Sequence, residues 1–384
     1  MLSPNNLAKG DSGTSRRRNR QHRPRTRALV HPDVVSAAAK PEIQHYIPQF
    51  MLRLFGHGDG NGLIWRHDKR TGKTTEESVR RSAAAPDYYA VNYPGRERDQ
   101  SLERLFSRFE TMAAPVIKSL AALEPGAYPL DATTRDLLAG WFALSQARVP
   151  GTIDQTMAMA KFSVAVETDM FLRNPERYRE RSRSGGATGS DEELEAQRIT
   201  DLHEHQERLL VIEPAPETGL TSLGLAVDDI RPVLAGMRWD IVRRRRFPFF
   251  VLGDQPVTIG RPENLSRFRG AGIATRGVEV YVPLSPEALL VASHEPHDGG
   301  VRVVSPDDRP HKPSLEPDWG LRPNLTAFLH APQHVFGRSQ GDLEAARLAI
   351  APEHRAFEPG IRVRGMPKEW ERYVPKGIVV EGWD

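Results

Sequence analysis

The spacing of apolar residues changes near residue 238, and this change most constrains the fold. Between residues 98 and 236, apolar side chains recur every three or four positions, which is the period of an amphipathic helix. After Arg238 they occur in short runs and alternations, which are typical of β-strands. The sequence therefore predicts a helix-rich part followed by a sheet.

The strongest helix is predicted over residues 98–123, where Pro115 should kink or divide it. A capping-box signature, Ser190-Asp191-Glu192-Glu193, follows a glycine-rich loop and should start another helix. The remaining helical segments are residues 132–148, 152–182, 220–236 and 325–336, the last interrupted by Pro332.

Residues 62–79 predict a β-hairpin whose turn covers Lys69 to Lys73. The other predicted strands are residues 239–242, 247–252, 277–282 and 288–292. We expect an α+β fold. In it, a helix-rich layer of about residues 80–236 packs on the hairpin and on a small, mainly antiparallel sheet from residues 237–305.

Charge is distributed unevenly along the 384 residues. The whole chain carries +3, residues 1–40 supply +7, and residues 41–384 therefore carry −4. Residues 1–40 have few large apolar side chains, so we expect a disordered basic arm. The arm either binds nucleic acid through phosphate charge or is a solvated extension or mis-assigned start. A single α+β domain is expected over residues 41–355, with a C-terminal extension over residues 356–384.

Composition excludes several classes of protein. The absence of cysteine excludes disulfides, thiol chemistry and cysteine-bound metal. No apolar run is long enough to cross a bilayer, and the start lacks the features of a secretory signal. We therefore expect a cytoplasmic protein with no membrane partner, and the sequence does not indicate its oligomeric state.

The stretch His45 to Phe55 combines a histidine, a helix-starting proline and a dense apolar face. A helix beginning near Pro48 would bury Phe50, Met51, Leu54 and Phe55, with Gln49 and Arg53 on the other side. His45 would lie just before the positive helix end, which favours the neutral imidazole that a general base needs. Alternatively, His45 only binds a backbone group and orders the start of the helix.

Several short motifs recur in a fixed order along the chain. They are His45–Phe55, Trp65–Lys73, Pro86–Tyr89, Glu110 before Ala113–Ile117, Gln146–Pro150, Phe249–Val257, Pro283–Pro286 and Asn324. Together they resemble DUF4238, a family of mainly bacterial proteins of unknown function, over roughly residues 45–340. The chain departs from the family pattern at Val149, Gly253 and Gln255. The resemblance implies no activity or cofactor, but it draws attention to the polar residues inside these motifs.

We expect these polar residues to meet in one cleft between the helices and the sheet. The expected catalytic residues are His45, Glu110 and Asp254, and the expected substrate-binding residues are Arg53, Gln146, Arg148 and Asn324. A histidine base, a carboxylate that orients it and an arginine for an anion would suit phosphodiester or acyl hydrolysis.

Each of these residues also has a simpler interpretation. Glu110 could be an ordinary surface residue, and Arg148 could be a partner of the helix dipole or of Asp254. Asp254-Gln255-Pro256 is also a turn signal, with the carboxylate binding backbone N–H.

No pair of histidines makes a convincing metal site, so we assign no metal and leave the cofactor unknown. His330 and His334 are four apart but have Pro332 between them, whereas His203 and His205 point to different helix faces. The first hypothesis is a hydrolase that acts on a phosphodiester or nucleotide. The alternatives are a non-catalytic nucleic-acid- or ligand-binding protein, and a buried polar network that only fixes the fold.

Overall fold

Helices fill most of the chain between residues 101 and 235, and strands dominate after residue 238, as the change in apolar spacing predicts. The computed structural model describes residues 43–58, 62–86, 88–89, 101–262, 272–305, 321–350, 361–364, 366–375 and 378–381. All of these belong to one unit, Glu42–Asp384. The expected basic arm, residues 1–40, lies outside the described residues, and its contact with nucleic acid stays a prediction.

The fold is α+β. The α-helices are α1 (Gln49–Leu54), α2 (Ser101–Ala122), α3 (Ala132–Ala147), α4 (Pro150–Leu172), α5 (Pro175–Ser184), α6 (Asp191–Gln206), α7 (Thr221–Leu225), α8 (Arg231–Ala235), α9 (Arg322–His330) and α10 (Gln340–Leu348). The strands are β1 (Ile43–His45), β2 (Leu63–Asp68), β3 (Lys73–Ser78), β4 (Ala84–Pro86), β5 (Gly126–Tyr128), β6 (Arg238–Arg243), β7 (Leu252–Gly253), β8 (Thr258–Gly260), β9 (Glu279–Ser285), β10 (Ala288–Ser293), β11 (Val301–Val304), β12 (His334–Gly337), β13 (Ile361–Arg364) and β14 (Ile378–Glu381). Shorter turns are the 3₁₀ segments Pro216–Leu220 and Lys368–Tyr373 and the π turn Ala226–Ile230.

The largest sheet has six strands in the order β5-β11-β6-β10-β9-β8. Every pair in it is antiparallel except β11 with β6. The predicted hairpin, β2 and β3, belongs instead to a second sheet in the order β3-β2-β12-β7. The remaining pairs are β1 with β4, antiparallel, and β13 with β14, parallel.

Two of the predicted helices have different boundaries in the structure. Residues 152–182 form two helices because Asn174 caps α5 through Arg177 N–H and Pro175 cannot continue α4. By contrast, α2 runs through Pro115 without dividing. The predicted helix over residues 325–336 was wrong at its end, since α9 stops at His330 and residues 334–337 form β12.

The central strand β10 is buried along its whole length. Leu290 on one side belongs to the main core with Phe142 of α3 and Ile117 of α2, whereas Leu289 and Val291 face a smaller cluster on the other side. A strand covered on both faces reads as a continuous apolar run, which is what the sequence shows. The helical layer therefore packs on one face of the six-stranded sheet.

Helix α1 inserts the His45–Phe55 stretch into this core. Met51, Leu52 and Phe55 are almost completely buried, and Ile47 before the helix is too. Leu52 had not been expected on the buried side, and the expected Leu54 is only half-buried. On the outer side, Arg53 Nη2 donates to Gln49 Oε1 at 2.6 Å.

Arg135, near the start of α3, joins this helix to the segment before β6 and to the segment before β11. Its guanidinium donates to the carbonyls of Ala235, Met237, Gly299 and Gly300 at 2.8–3.2 Å. It also lies 4.3 Å from the ring centroid of Trp239. The side chain is 6% exposed, so it holds α3 to the sheet in a site that water hardly reaches.

A segment near the C-terminus, residues 366–375, packs on the helical layer; we call it the strap. The Tyr373 hydroxyl donates to Asp169 Oδ1 at 2.8 Å, and the Tyr373 ring stacks on His205 at 4.8 Å. Arg173 Nε donates to the other oxygen of Asp169, whose side chain is completely buried. The strap therefore supplies one of the partners that this buried carboxylate requires.

Replacing Arg135 by leucine should destabilise the fold by about 3 kcal/mol or more, because four carbonyl oxygens lose a charged donor. The free energy of unfolding in urea would measure this loss. The matched control is R179L, since Arg179 is 42% exposed and only forms a surface ion pair with Asp191. That change should cost less than about 1 kcal/mol. Equal losses in the two variants would contradict the role given to Arg135.

Candidate functional site

His45 lies at the end of β1, where it pairs with Ala84 of β4. Its Nε2 is 3.2 Å from the Arg80 carbonyl oxygen, which can only accept, so Nε2 carries the proton. Its Nδ1 is then the unprotonated nitrogen, and it accepts a long hydrogen bond of 3.5 Å from the Gln49 amide. This tautomer leaves Nδ1 as the basic atom.

Burial lowers the pKa of His45, and the bond to Arg80 and the charge of Glu110 only partly oppose this. The charges of Arg53 and Arg148 lower the pKa further. His45 is therefore neutral at pH 7, as the position before α1 had indicated. The backbone bond expected from the simpler interpretation is also present, so the two interpretations are compatible.

Arg148 caps the end of α3 and is 2% exposed. Its Nη1 donates to Glu110 Oε1 at 2.8 Å, its guanidinium lies 5.1 Å from the Phe106 ring centroid, and its carbonyl accepts from the Tyr89 hydroxyl at 3.0 Å. The suggested pairing with Asp254 was wrong, because Glu110 is the carboxylate that Arg148 contacts. Glu110 thus orients the arginine and makes no described contact with His45.

Several buried polar atoms on Arg148 and on residues near it in the chain or fold have no hydrogen-bond partner among the described residues. They are Nε and Nη2 of Arg148, Gln146 Oε1, Gln44 Nε2 and Tyr88 Oη. Tyr89, the neighbour of Tyr88, links Gln44 to Arg148, because its N–H donates to Gln44 Oε1 at 2.6 Å while its hydroxyl donates to the Arg148 carbonyl. Buried polar atoms in folded proteins nearly always have partners, so a group of orphaned atoms indicates a place for water or a ligand.

Asp254 follows β7 and is clamped to β12. Its Oδ2 accepts from the N–H groups of Gln333 and His334 at 3.0 and 2.7 Å, while Oδ1 is buried without a partner. Burial raises the pKa of Asp254 to about 7 in spite of these two bonds. The carboxylate thus binds backbone N–H as the turn signal indicated, but on another strand.

No described contact joins Asp254 to His45, and two weaker links bring its loop toward the polar set. The charge of Asp254 contributes to the raised pKa of Tyr46, the neighbour of His45, although burial is the main cause. Gln255 Nε2 donates to the Gln146 carbonyl at 3.3 Å. The structure therefore brings His45, Glu110 and Arg148 into one region, with Gln146 two residues before Arg148 and its carbonyl bound by the residue after Asp254.

Asn324 has a different environment from the other expected substrate-binding residues. Its Oδ1 accepts from Val251 N–H at 3.1 Å, and its Nδ2 donates to the Phe249 carbonyl at 2.7 Å. Both ends of the buried amide thus hold the backbone before β7. Asn324 therefore has a structural role and lies outside the candidate site. Arg53 binds the side chain of Gln49, and its charge lowers the pKa of His45.

The sequence interpretation did not single out Gln44, Tyr88 or Tyr89 as individual site residues. Tyr88 and Tyr89 lie within a motif that the family resemblance had marked, which was the available signal. Within the described part of the chain, no group of three or more His, Cys, Asp or Glu residues could hold a metal ion.

The raised pKa of Asp254 predicts how stability depends on pH. Burial favours the protonated form of Asp254. Its contribution to the free energy of unfolding is therefore full below the unfolded-state pKa of about 3.9, and it is lost as pH rises through the folded-state pKa of about 7. Asparagine mimics the protonated carboxyl, because its oxygen can accept both N–H bonds. We therefore expect D254N to gain stability relative to wild type between pH 4 and 7, by up to about 1.4 kcal/mol per unit.

Urea unfolding of wild type and D254N at several pH values would measure this difference. D136N is the matched control, because Asp136 is 54% exposed and binds Arg231 at the surface. A D254N difference that stays flat with pH, like that of the control, would contradict the buried, protonated carboxyl.

Comparison with known proteins adds a family but no activity. The model of a family described as a protein of unknown function, DUF4238, matches residues 43–338. No curated protein and no solved structure matches the chain. Among the described residues, no helix combines the length and apolar character needed to cross a bilayer. Since the matched region covers most of the chain and includes all the motifs above, the protein belongs to the DUF4238 family.

Proposed function

We propose that this protein is a hydrolase of phosphodiesters or nucleotides, with His45 as the general base and Arg148 as the residue that holds the phosphoryl oxygens. The observation that carries the proposal is the buried guanidinium of Arg148, whose Nε and Nη2 have no partner among the described residues. Its charge acts on His45, which is neutral at pH 7.

The free atoms of Arg148 have the right arrangement for an oxyanion. Glu110 occupies Nη1, so Nε and Nη2 remain, and these two N–H groups lie side by side on one edge of the guanidinium. That edge can donate two parallel hydrogen bonds to two oxygens of one phosphate. Each buried donor without a partner costs about 1–3 kcal/mol, which a bound anion would remove.

Two neighbouring side chains support the same ligand chemistry. Gln44 Nε2 is a donor without a partner, and burial raises the pKa of Tyr88, so its hydroxyl stays a neutral donor. Donors therefore predominate among the orphaned atoms, and Gln146 Oε1 is the one acceptor in the set. This balance suits a ligand with several anionic oxygens and one hydroxyl or amine.

His45 supports the hydrolytic step. The Arg80 carbonyl fixes the Nε2–H tautomer, as a carboxylate does in other histidine bases. Nδ1 can then take a proton from water, whose oxygen bonds to phosphorus as the ester P–O bond breaks. The proton passes from His45 to the leaving oxygen, so the histidine is regenerated.

We expect wild-type protein to hydrolyse bis(p-nitrophenyl) phosphate or a nucleotide from a panel, and H45Q to lose at least about 100-fold in kcat. Because the pKa of His45 is lowered, activity should fall only when pH drops below about 6.5, the usual histidine value. R148K should mainly raise KM, since lysine cannot donate from a planar edge.

The matched control is H294Q, because His294 also binds a carbonyl through Nε2 but lies on the exposed surface. Wild-type and H45Q activities that are equal, or no turnover of any panel member, would overturn the proposal. Ligand binding without turnover would favour the alternative, a non-catalytic ligand-binding protein. Loss of folding in H45Q would favour a purely structural network.

A further inference from the structure

Four consecutive arginines, Arg243 to Arg246, follow the core of β6, and their side chains divide into two groups. Arg243 is directed inward: its Nη1 donates to the carbonyls of Ala121 and Leu123 at 2.6 and 3.2 Å, at the end of α2. Arg245 and Arg246 are exposed. The run is thus anchored at one end and presents charge to solvent at the other.

A fifth arginine comes from a distant part of the chain. Arg338, between β12 and α10, lies 4.5 Å from the ring centroid of Phe249, and Arg244 lies 5.8 Å from that of Phe250. Stacking on a ring holds a guanidinium in place. We call Arg244, Arg245, Arg246, Phe247 and Arg338 the arginine patch.

The charges in this region are not balanced. Arg243, Arg245 and Arg338 share two glutamates, since Glu124 contacts Arg243 and Arg245, and Glu287 contacts Arg243 and Arg338. No carboxylate among the described residues contacts Arg246. Residues 41–384 carry a net charge of −4, so this concentration of positive charge runs against the average of the domain.

An exposed aromatic ring lies within the patch. Phe247 is 62% exposed, and its ring edge comes within 3.5 Å of where a Cβ on Gly341 of α10 would lie. A large exposed ring within a cluster of arginines offers a stacking surface as well as charge.

We propose that the arginine patch binds single-stranded nucleic acid. Phosphates would meet Arg245, Arg246 and Arg338, and an unpaired base would stack on Phe247. An acidic peptide would satisfy the charges but has no planar base for the ring, and the bases of a duplex are already stacked. This proposal does not depend on the hydrolase assignment, because the patch shares no residue with the His45–Arg148 site.

The test uses the full chain and a fluorescent oligothymidine of about 15 nucleotides, with binding followed by anisotropy at several salt concentrations. R245Q/R246Q should weaken binding at least about tenfold and reduce the slope of log K against log salt by about 1.4, for two lost phosphates. F247A should weaken binding without changing that slope. The control R177Q/R181Q removes two exposed arginines from α5 and should leave both quantities unchanged.

Crosslinking locates the bound strand independently of affinity. An oligonucleotide with 5-iodouracil should crosslink to the tryptic peptide that begins at Phe247. Equal affinities of the R245Q/R246Q and R177Q/R181Q variants, or crosslinks confined to residues 1–40, would overturn the proposal. An unchanged affinity in F247A together with equal competition by polyglutamate would also overturn it, because the patch would then recognise charge alone.

Discussion

The contact between Arg148 and Glu110 fixes the arrangement on which the candidate site depends. A buried guanidinium must be paired, since an isolated charge in the interior is strongly unfavourable. Glu110 supplies the pair from α2, while the carbonyl of Arg148 binds Tyr89. One residue thus sets the position of α2, the end of α3 and the segment after β4. The same pairing uses one nitrogen of the guanidinium and leaves a two-donor edge without a partner.

The irregular segment before β7 shows that polar residues in apolar motifs can have quite different roles. Pro248 removes an N–H from this segment, and the neighbouring backbone groups are satisfied by side chains from elsewhere. Asp342 accepts from Phe249 N–H, and Asn324 binds the same residue's carbonyl and Val251 N–H. Side chains that replace a missing strand partner look, in a sequence, much like side chains that bind a substrate.

Local patterns predicted the local structure well. The helix over α2, the hairpin of β2 and β3, and the capping box of α6 all follow from neighbouring residues, and the structure has each of them. Long-range pairing could not be predicted in this way. The second partner of β2, besides β3, is β12, which lies in a stretch whose apolar spacing indicated a helix. Arg135 also escaped notice, because an arginine near a helix start normally points to solvent.

The sequence predicted only those site residues that lie within the recurring motifs. Glu110 contacts Arg148 and the charges of both act on His45, whereas Asp254 is clamped to β12. Neither the unpaired edge of a guanidinium nor the tautomer of a histidine is encoded by residue type. Both depend on which neighbouring atoms the fold has already used.

The strap also imposes an order on folding during synthesis. Tyr373 follows its partner Asp169 by 204 positions, so the ribosome must translate the whole intervening chain before the two can meet. Until then the carboxylate has Arg173 as its ion-pair partner, and water takes the place of the Tyr373 hydroxyl. In the nascent helical layer, the Asp169 carboxylate therefore stays hydrated until the strap packs over it and excludes water.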